Sequence, residues 1–147
     1  MTVHASDTLF KNATDLAEAI SRGGRDGTLH SGEHPDAETF IQPTEKPNPE
    51  LLFAGAYAAC FHSAMGGVAK ALGTPLVDSV LRVRVGQVKD EAGDSRLVVE
   101  LRAELPGFAA DKVRELMETA DKLCPYSKAL RGDATVVLAQ SAVINLP

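Results

Sequence analysis

Two cysteines, Cys60 and Cys124, are the residues of this 147-residue chain best suited to covalent chemistry. By count alone they would be taken for small buried hydrophobic residues. Cys60 lies within a run, residues 51–69, that carries no formally charged side chain. A thiol in such apolar surroundings has a raised pKa and is inert unless something brings positive charge to it. Cys124 precedes Pro125, which predicts that it caps a short helix whose backbone amides favour its thiolate.

Arg25 is the better candidate for the positive charge that Cys60 requires. His62 shares a predicted helix with Cys60, but it projects about 200° away at 100° per residue. Arg25 lies in the glycine-rich turn GGRDG. A buried arginine needs a carboxylate to orient it and to offset its desolvation, and Glu50 can supply one.

The spacing of Glu50 and Cys60 raises the question of which subunit completes the site. On a straight helix they are separated by about 15 Å along the axis and by about 280° of rotation. If Arg25, Glu50 and Cys60 form one site, a second subunit should supply the arginine and the glutamate. We therefore expect an obligate homodimer with two composite sites.

Several other kinds of chemistry are disfavoured. The chain has no Cys-x-x-Cys motif, so thioredoxin-type exchange is not indicated. Cys60, His62 and Cys124 match no zinc spacing, and we expect neither a metal nor an organic cofactor. The net charge of −5 argues against binding to nucleic acid. The N-terminus lacks a secretory pattern, which predicts a cytoplasmic protein whose thiols are kept reduced.

The first elements along the chain are a hairpin and a long helix. The turn at 23–27 joins short runs at 16–21 and 28–31, which predicts a β-hairpin. Asn48 and Pro49 are typical of a helix start, and the helix should continue until Gly73. Its uncharged segment is long enough to cross a membrane. It is rich in alanine and glycine and lacks basic flanks and aromatic belts, so we interpret it as a buried central helix.

The rest of the chain predicts a second hairpin (77–88 and 95–105), a helix (109–123), a short helical turn to 130 and a final strand (134–144). This order of elements, with mostly antiparallel hairpins, indicates an α+β fold in one domain, 1–147. Four large side chains of the uncharged helix are predicted to line an apolar approach to Cys60, unless they are simply core: Phe53, Tyr57, Phe61 and Met65.

Three motifs in order resemble the OsmC/Ohr family: GGRDG at 23–27, NPELLFAGAYAACF at 48–61 and CPYS at 124–127. The CPYS form is similar to the Ohr (organic hydroperoxide resistance) branch rather than the OsmC branch. The resemblance covers the chain from about residue 16 to its end.

The resemblance implies a thiol peroxidase that reduces alkyl and fatty-acid hydroperoxides to alcohols. It also implies an antiparallel sheet with a long central buried helix, an intertwined homodimer and a lipoylated protein as electron donor. The reactive cysteine falls on Cys60, the resolving cysteine on Cys124, and the paired arginine and glutamate on Arg25 and Glu50. A binding protein for small hydrophobic molecules, a redox sensor and an osmotically induced OsmC-branch peroxidase remain alternatives.

Overall fold

The structure, a computed structural model, describes residues 6–33, 47–133 and 138. The strand predicted over 134–144 lies, but for residue 138, outside the described residues. Along the described chain run the following elements: α1 (Ser6–Leu9), β1 (Thr14–Arg22), a 3₁₀ turn (Gly24–Asp26), β2 (Thr28–Ser31), α2 (Pro49–Ala71), β3 (Val80–Lys89), β4 (Ser95–Glu104), α3 (Ala110–Leu123) and α4 (Pro125–Leu130).

The strands form one antiparallel sheet in the order β2-β1-β3-β4. Both predicted hairpins are present: β1 pairs with β2 across the 3₁₀ turn, and β3 pairs with β4 in a register running from Val80↔Glu104 to Lys89↔Ser95. The α+β fold with an antiparallel sheet is confirmed.

The long helix α2 begins and ends where the sequence predicts. The Leu51 N–H donates a 3.0 Å hydrogen bond to Asn48 Oδ1, and Pro49 occupies the first turn, where its missing N–H leaves no hydrogen bond unmade. The helix ends at Ala71, and Gly73 adopts a φ of +75° just beyond it.

Helix α2 is the centre of the hydrophobic core. One side packs against β1 and β3, and α3 packs against another part of its surface. By length and composition α2 could cross a membrane, with a mean hydropathy of 1.4, yet it is built into this core. Only 44% of its apolar window is buried within the single chain. An uncharged helix surface therefore remains uncovered, and it includes Leu52, whose exposed fraction is 44%.

Candidate active site

The fold brings the two cysteines into contact although 64 positions separate them. Cys60 lies in the middle of α2. Cys124 lies at the junction of α3 and α4, and this junction packs beside α2. Their Sγ atoms are 3.7 Å apart, within hydrogen-bond distance, and both are free thiols. Cys60 keeps 9% of its surface exposed while Cys124 keeps none, so a molecule entering from solvent meets Cys60 first.

The environment of Cys60 contains opposing influences on its thiol. Burial raises the pKa of Cys60, and the neighbouring Cys124 raises it further. A hydrogen bond from the Tyr126 backbone N–H and the charge of Arg25 lower the same pKa, but burial outweighs them. In the single chain Cys60 is therefore a thiol with its activating groups already beside it.

The first turn of α4 serves Cys60 rather than Cys124, which differs from the prediction. Cys124 occupies the N-cap position of α4, but its side chain makes no capping hydrogen bond. The amide of Tyr126 in that turn instead donates to Cys60. Because α3 delivers Cys124 pointing inward towards α2, its sulfur faces Cys60 and not the open end of α4.

Arg25 and Cys60 of the same chain line one cavity of about 610 Å³. The expectation that a partner subunit must supply the arginine is therefore wrong in this structure. The sequence predicts that Arg25 pairs with Glu50, and helical geometry separates Glu50 from Cys60 of the same chain. In the fold, the 3₁₀ turn after β1 instead lays Arg25 against the middle of α2, near Cys60.

Glu50 lies apart from this cavity, at the start of α2. It is 6% exposed, and its Oε1 accepts a 2.6 Å hydrogen bond from Gln87 Nε2 on β3. In the described part of a single chain, no lysine or arginine lies within ion-pair distance of Glu50. The structure thus keeps a carboxylate buried without bringing it to Arg25.

His62 points away from Cys60, as the helical rotation predicts. Its Nδ1 lies 3.0 Å from Ser21 Oγ and its Nε2 lies 2.7 Å from Ser79 Oγ, so the ring joins α2 to β1 and to the start of β3. Burial lowers the pKa of His62 and keeps the ring neutral. It serves the packing of the core.

The four residues predicted to line the approach to Cys60 do not line its cavity. Phe61 and Met65 are fully buried in the core, Tyr57 is 3% exposed, and Phe53 packs against the same core. The cavity extends from Cys60 towards the C-terminal end of α2. Phe53 and Tyr57 precede Cys60, and Phe61 and Met65 are rotated from it by about 100° and 140°.

Smaller side chains form the cavity wall instead. The α2 residues are Cys60, Ser63, Ala64, Gly67, Val68 and Ala71, and Leu123 and Pro125 close the opposite side. These α2 positions follow the i, i+3, i+4, i+7 spacing of one helix face. Extending that spacing forward from Cys60 would have identified them from the sequence. They form an apolar pocket with Arg25 at its edge.

Tyr57 and Ser127 are joined by a hydrogen bond that the sequence did not indicate. The Tyr57 hydroxyl lies 2.6 Å from Ser127 Oγ, both residues are buried, and Tyr126 stacks on the Tyr57 ring. This contact fixes α4, and with it Cys124, against α2. Within the described residues, no cluster of three or more His, Cys, Asp or Glu side chains is arranged to hold a metal.

Comparison with known proteins places this geometry in a family. Residues 42–139 match the OsmC-like protein family. The chain is 36% identical over 129 residues to the organic hydroperoxide resistance protein OhrB of Bacillus subtilis, a match covering 83% of this chain and 94% of that protein. It is 37% identical over 134 residues to the organic hydroperoxide resistance protein of Xanthomonas axonopodis pv. citri, covering 83% and 91%.

Solved structures agree with the sequence comparison. The crystal structure of Bacillus subtilis OhrB superposes with a TM-score of 0.55 at 34% identity, covering 78% of this chain and 90% of that one. A Vibrio cholerae structure described as a putative organic hydroperoxide resistance protein, with captopril bound in one of its active sites, gives 0.53 at 28% identity, covering 90% and 88%. The motifs, the fold and these relatives together show that the chain belongs to the OsmC-like family, in its organic hydroperoxide resistance branch.

Proposed function

We propose that this protein is a cysteine-based peroxidase that reduces organic hydroperoxides to alcohols. The observation that carries the proposal is a pair of free thiols 3.7 Å apart, one of which, Cys60, lines an apolar cavity that Arg25 also lines. Relatives named organic hydroperoxide resistance proteins support the same activity.

In the first step, the Cys60 thiolate attacks the terminal oxygen of the hydroperoxide. The O–O bond breaks, the alkoxide takes a proton to leave as an alcohol, and Cys60 becomes a sulfenic acid. The Arg25 guanidinium and the Tyr126 amide stabilise the thiolate, and Arg25 can also stabilise the charge that develops on the peroxide oxygens. Arg25 and Cys60 are thus the catalytic pair.

In the second step, Cys124 resolves the sulfenic acid. Its sulfur displaces the hydroxyl from Cys60, water leaves, and an intramolecular disulfide forms. A disulfide requires an S–S distance of about 2.05 Å, so the sulfurs must approach by less than about 2 Å from their present separation. Side-chain rotation and a small shift of the α3–α4 junction are sufficient.

The cavity walls favour organic hydroperoxides over hydrogen peroxide. Ala64, Gly67, Val68 and Leu123 offer an apolar surface on which an alkyl chain is desolvated, whereas hydrogen peroxide gains nothing there.

A dithiol carried on a slender flexible arm, such as a lipoylated protein, is the proposed reductant. Cys124 is fully buried, and Cys60 lines the cavity with 9% of its surface exposed. An external dithiol exchanges with the disulfide and leaves oxidised, returning both cysteines to thiols. Such a cycle requires a reducing compartment, and we propose the cytoplasm.

We propose a homodimer as the functional form. Among the described residues of one chain, part of the uncharged surface of α2 is uncovered and no lysine or arginine pairs with the buried Glu50 side chain. Burying a charge without a counter-charge is costly, and a second copy packed on α2 can relieve both features. In that arrangement Glu50 of the partner subunit would orient Arg25, while Arg25 and Cys60 belong to one chain.

The experiment that tests the proposed activity compares wild type, Cys60→Ser and Cys124→Ser. Turnover of cumene hydroperoxide and of hydrogen peroxide is followed with dihydrolipoamide as reductant. Wild type should favour the organic substrate by at least about tenfold in kcat/KM, as expected for a substrate that buries several methylene groups. Cys60→Ser should be inactive, and Cys124→Ser should accumulate a sulfenic acid that dimedone traps.

Two results would contradict the proposal. Absence of turnover in wild type would indicate a hydrophobic-ligand-binding protein with incidental thiols. A single oxidation of Cys60 without recycling by the dithiol would indicate a redox sensor.

A further inference from the structure

A serine that belongs to neither the cysteine pair nor the arginine turn, Ser63, contacts the turn that carries Arg25. Ser63 lies three residues after Cys60 on α2, on the same helix face and about 4.5 Å further along the axis. Its Oγ accepts a 2.7 Å hydrogen bond from the backbone N–H of Arg25. This contact joins the cysteine helix to the turn that carries the guanidinium.

The turn itself is shaped to approach Ser63 closely. Gly24 has a φ of +71°, and a Cβ at that position would lie 2.7 Å from Ser63 Oγ and 2.9 Å from Ser63 N. The turn is closed by a 3.1 Å hydrogen bond from the Gly27 N–H to the Gly24 carbonyl. Glycine therefore allows the turn backbone to rest directly on the helix, where Ser63 holds it.

Arg25 needs a fixed backbone for its guanidinium to stay near the sulfur of Cys60. The Arg25 side chain is exposed at the mouth of the cavity and has many rotamers available to it. Its charge lowers the pKa of Cys60 only while the guanidinium stays near the sulfur. If the turn moves outward by an ångström, the whole side chain moves with it and this effect weakens.

We infer that Ser63 is a positioning residue, whose hydroxyl holds the Arg25 turn against α2 so that the guanidinium lies beside Cys60. The inference deepens the proposed peroxidase activity, and it rests on that activity for its kinetic measurement alone. Ser63 acts through Arg25 and need not contact the hydroperoxide.

The test begins with Ser63→Ala, which removes the acceptor and retains a good helix former. The rate of Cys60 alkylation by iodoacetamide, measured against pH in a Cys124→Ser background, should titrate at higher pH than in the same background with Ser63. The kcat/KM for cumene hydroperoxide, measured with Cys124 present, should fall about tenfold, as expected for a small misplacement of a catalytic group. Gly24→Ala, which pushes the turn off the helix, should likewise move the alkylation profile to higher pH and lower kcat/KM.

A double-mutant cycle with Arg25→Gln shows whether Ser63 acts through Arg25. Once Arg25 is gone, adding Ser63→Ala should change kcat/KM by less than about twofold. Ser79→Ala is the matched control, because it removes a buried hydroxyl that contacts α2 through His62, away from Arg25. It should lower the thermal midpoint and leave the alkylation profile unchanged.

The inference would be overturned if Ser63→Ala left the alkylation profile unchanged. It would also be overturned if the fold losses in kcat/KM of Ser63→Ala and Arg25→Gln simply multiplied in the double variant. Failure of the proposed function looks different. In that case wild type would show no turnover, while the alkylation profiles would still respond to Ser63 and Arg25.

Discussion

The buried hydrogen bond between Tyr57 and Ser127 should make a measurable contribution to stability. It is 2.6 Å long, and its two residues are 3% and 1% exposed. Burial raises the pKa of Tyr57, so the hydroxyl stays protonated across the physiological range. Tyr57→Phe keeps the ring, and with it the stacking on Tyr126 and the edge contacts with Phe53 and Phe61. The substitution therefore isolates the loss of one hydroxyl.

The expected cost follows from what remains behind. With the phenol oxygen removed, Ser127 Oγ is a buried hydroxyl without a partner, which costs about 1–3 kcal/mol. Ser127→Ala leaves the Tyr57 hydroxyl in the same position and should cost a similar amount. The double variant removes both polar groups and should be no less stable than either single variant. For a chain of this size, a loss of 2 kcal/mol lowers the thermal midpoint by roughly 4–8 °C.

Urea unfolding followed by circular dichroism measures these differences, at one protein concentration because association adds to apparent stability. Strictly additive losses in the double variant would refute the reasoning, since they would mean that the two hydroxyls do not depend on each other. The same variants should slow closure of the Cys60–Cys124 disulfide after oxidation, because α4 carries both Ser127 and the N-cap residue Cys124.

Three further predictions concern Cys60, His62 and the cavity. Alkylation of Cys60 should accelerate as pH rises above neutrality, because its raised pKa leaves the thiol protonated at neutral pH. Arg25→Gln should move the alkylation profile to still higher pH. An unmoved profile would show that Arg25 does not reach the sulfur. The lowered pKa of His62 means that the unfolded state binds more protons below about pH 6.5, so stability should fall there as pH drops. His62→Gln should flatten that dependence in urea titrations, and a slope equal to that of wild type would contradict the assignment. Gly67→Leu, at a position where an added Cβ meets no atom within 4 Å, should fold and should reduce kcat/KM for cumene hydroperoxide more than for hydrogen peroxide; equal losses would place the substrate elsewhere.

Local signals in the sequence were sufficient to predict most of the described fold. The cap at Asn48 and the glycine beyond Ala71 bound α2, and glycine-rich or polar turns mark both hairpins. Each of these signals depends on only a few neighbouring residues, so it can be recognised in the sequence without tertiary information. The motifs that identify the family also assign Cys60 and Cys124 correctly as neighbours.

The errors concern what the turn after β1 and the junction of α3 with α4 do in three dimensions. Helical rotation can relate Glu50 to Cys60, but it cannot show that β1 returns Arg25 to the middle of α2. Likewise, residue type marks Phe61 and Met65 as suitable for a substrate pocket. Only the packing of α2 on the sheet shows that they fill the core and that small residues face the cavity.

The electrostatics of the site give the proposed dimer a specific task. The carboxylate of Glu50 from the partner subunit, placed beside Arg25, would offset part of the positive charge that lowers the pKa of Cys60. Glu50 of the partner subunit therefore cannot act by increasing the thiolate fraction of Cys60 through its charge. The benefit has to be orientation, because a bidentate carboxylate holds a guanidinium in one plane that a long free side chain would seldom occupy. Ser63 fixes the backbone of the same arginine from within the chain. Ser63 would then hold the backbone of Arg25, and Glu50 of the partner subunit would hold its guanidinium. Cys60 would face a guanidinium of fixed orientation, although the nearby carboxylate makes the local electrostatic potential less positive.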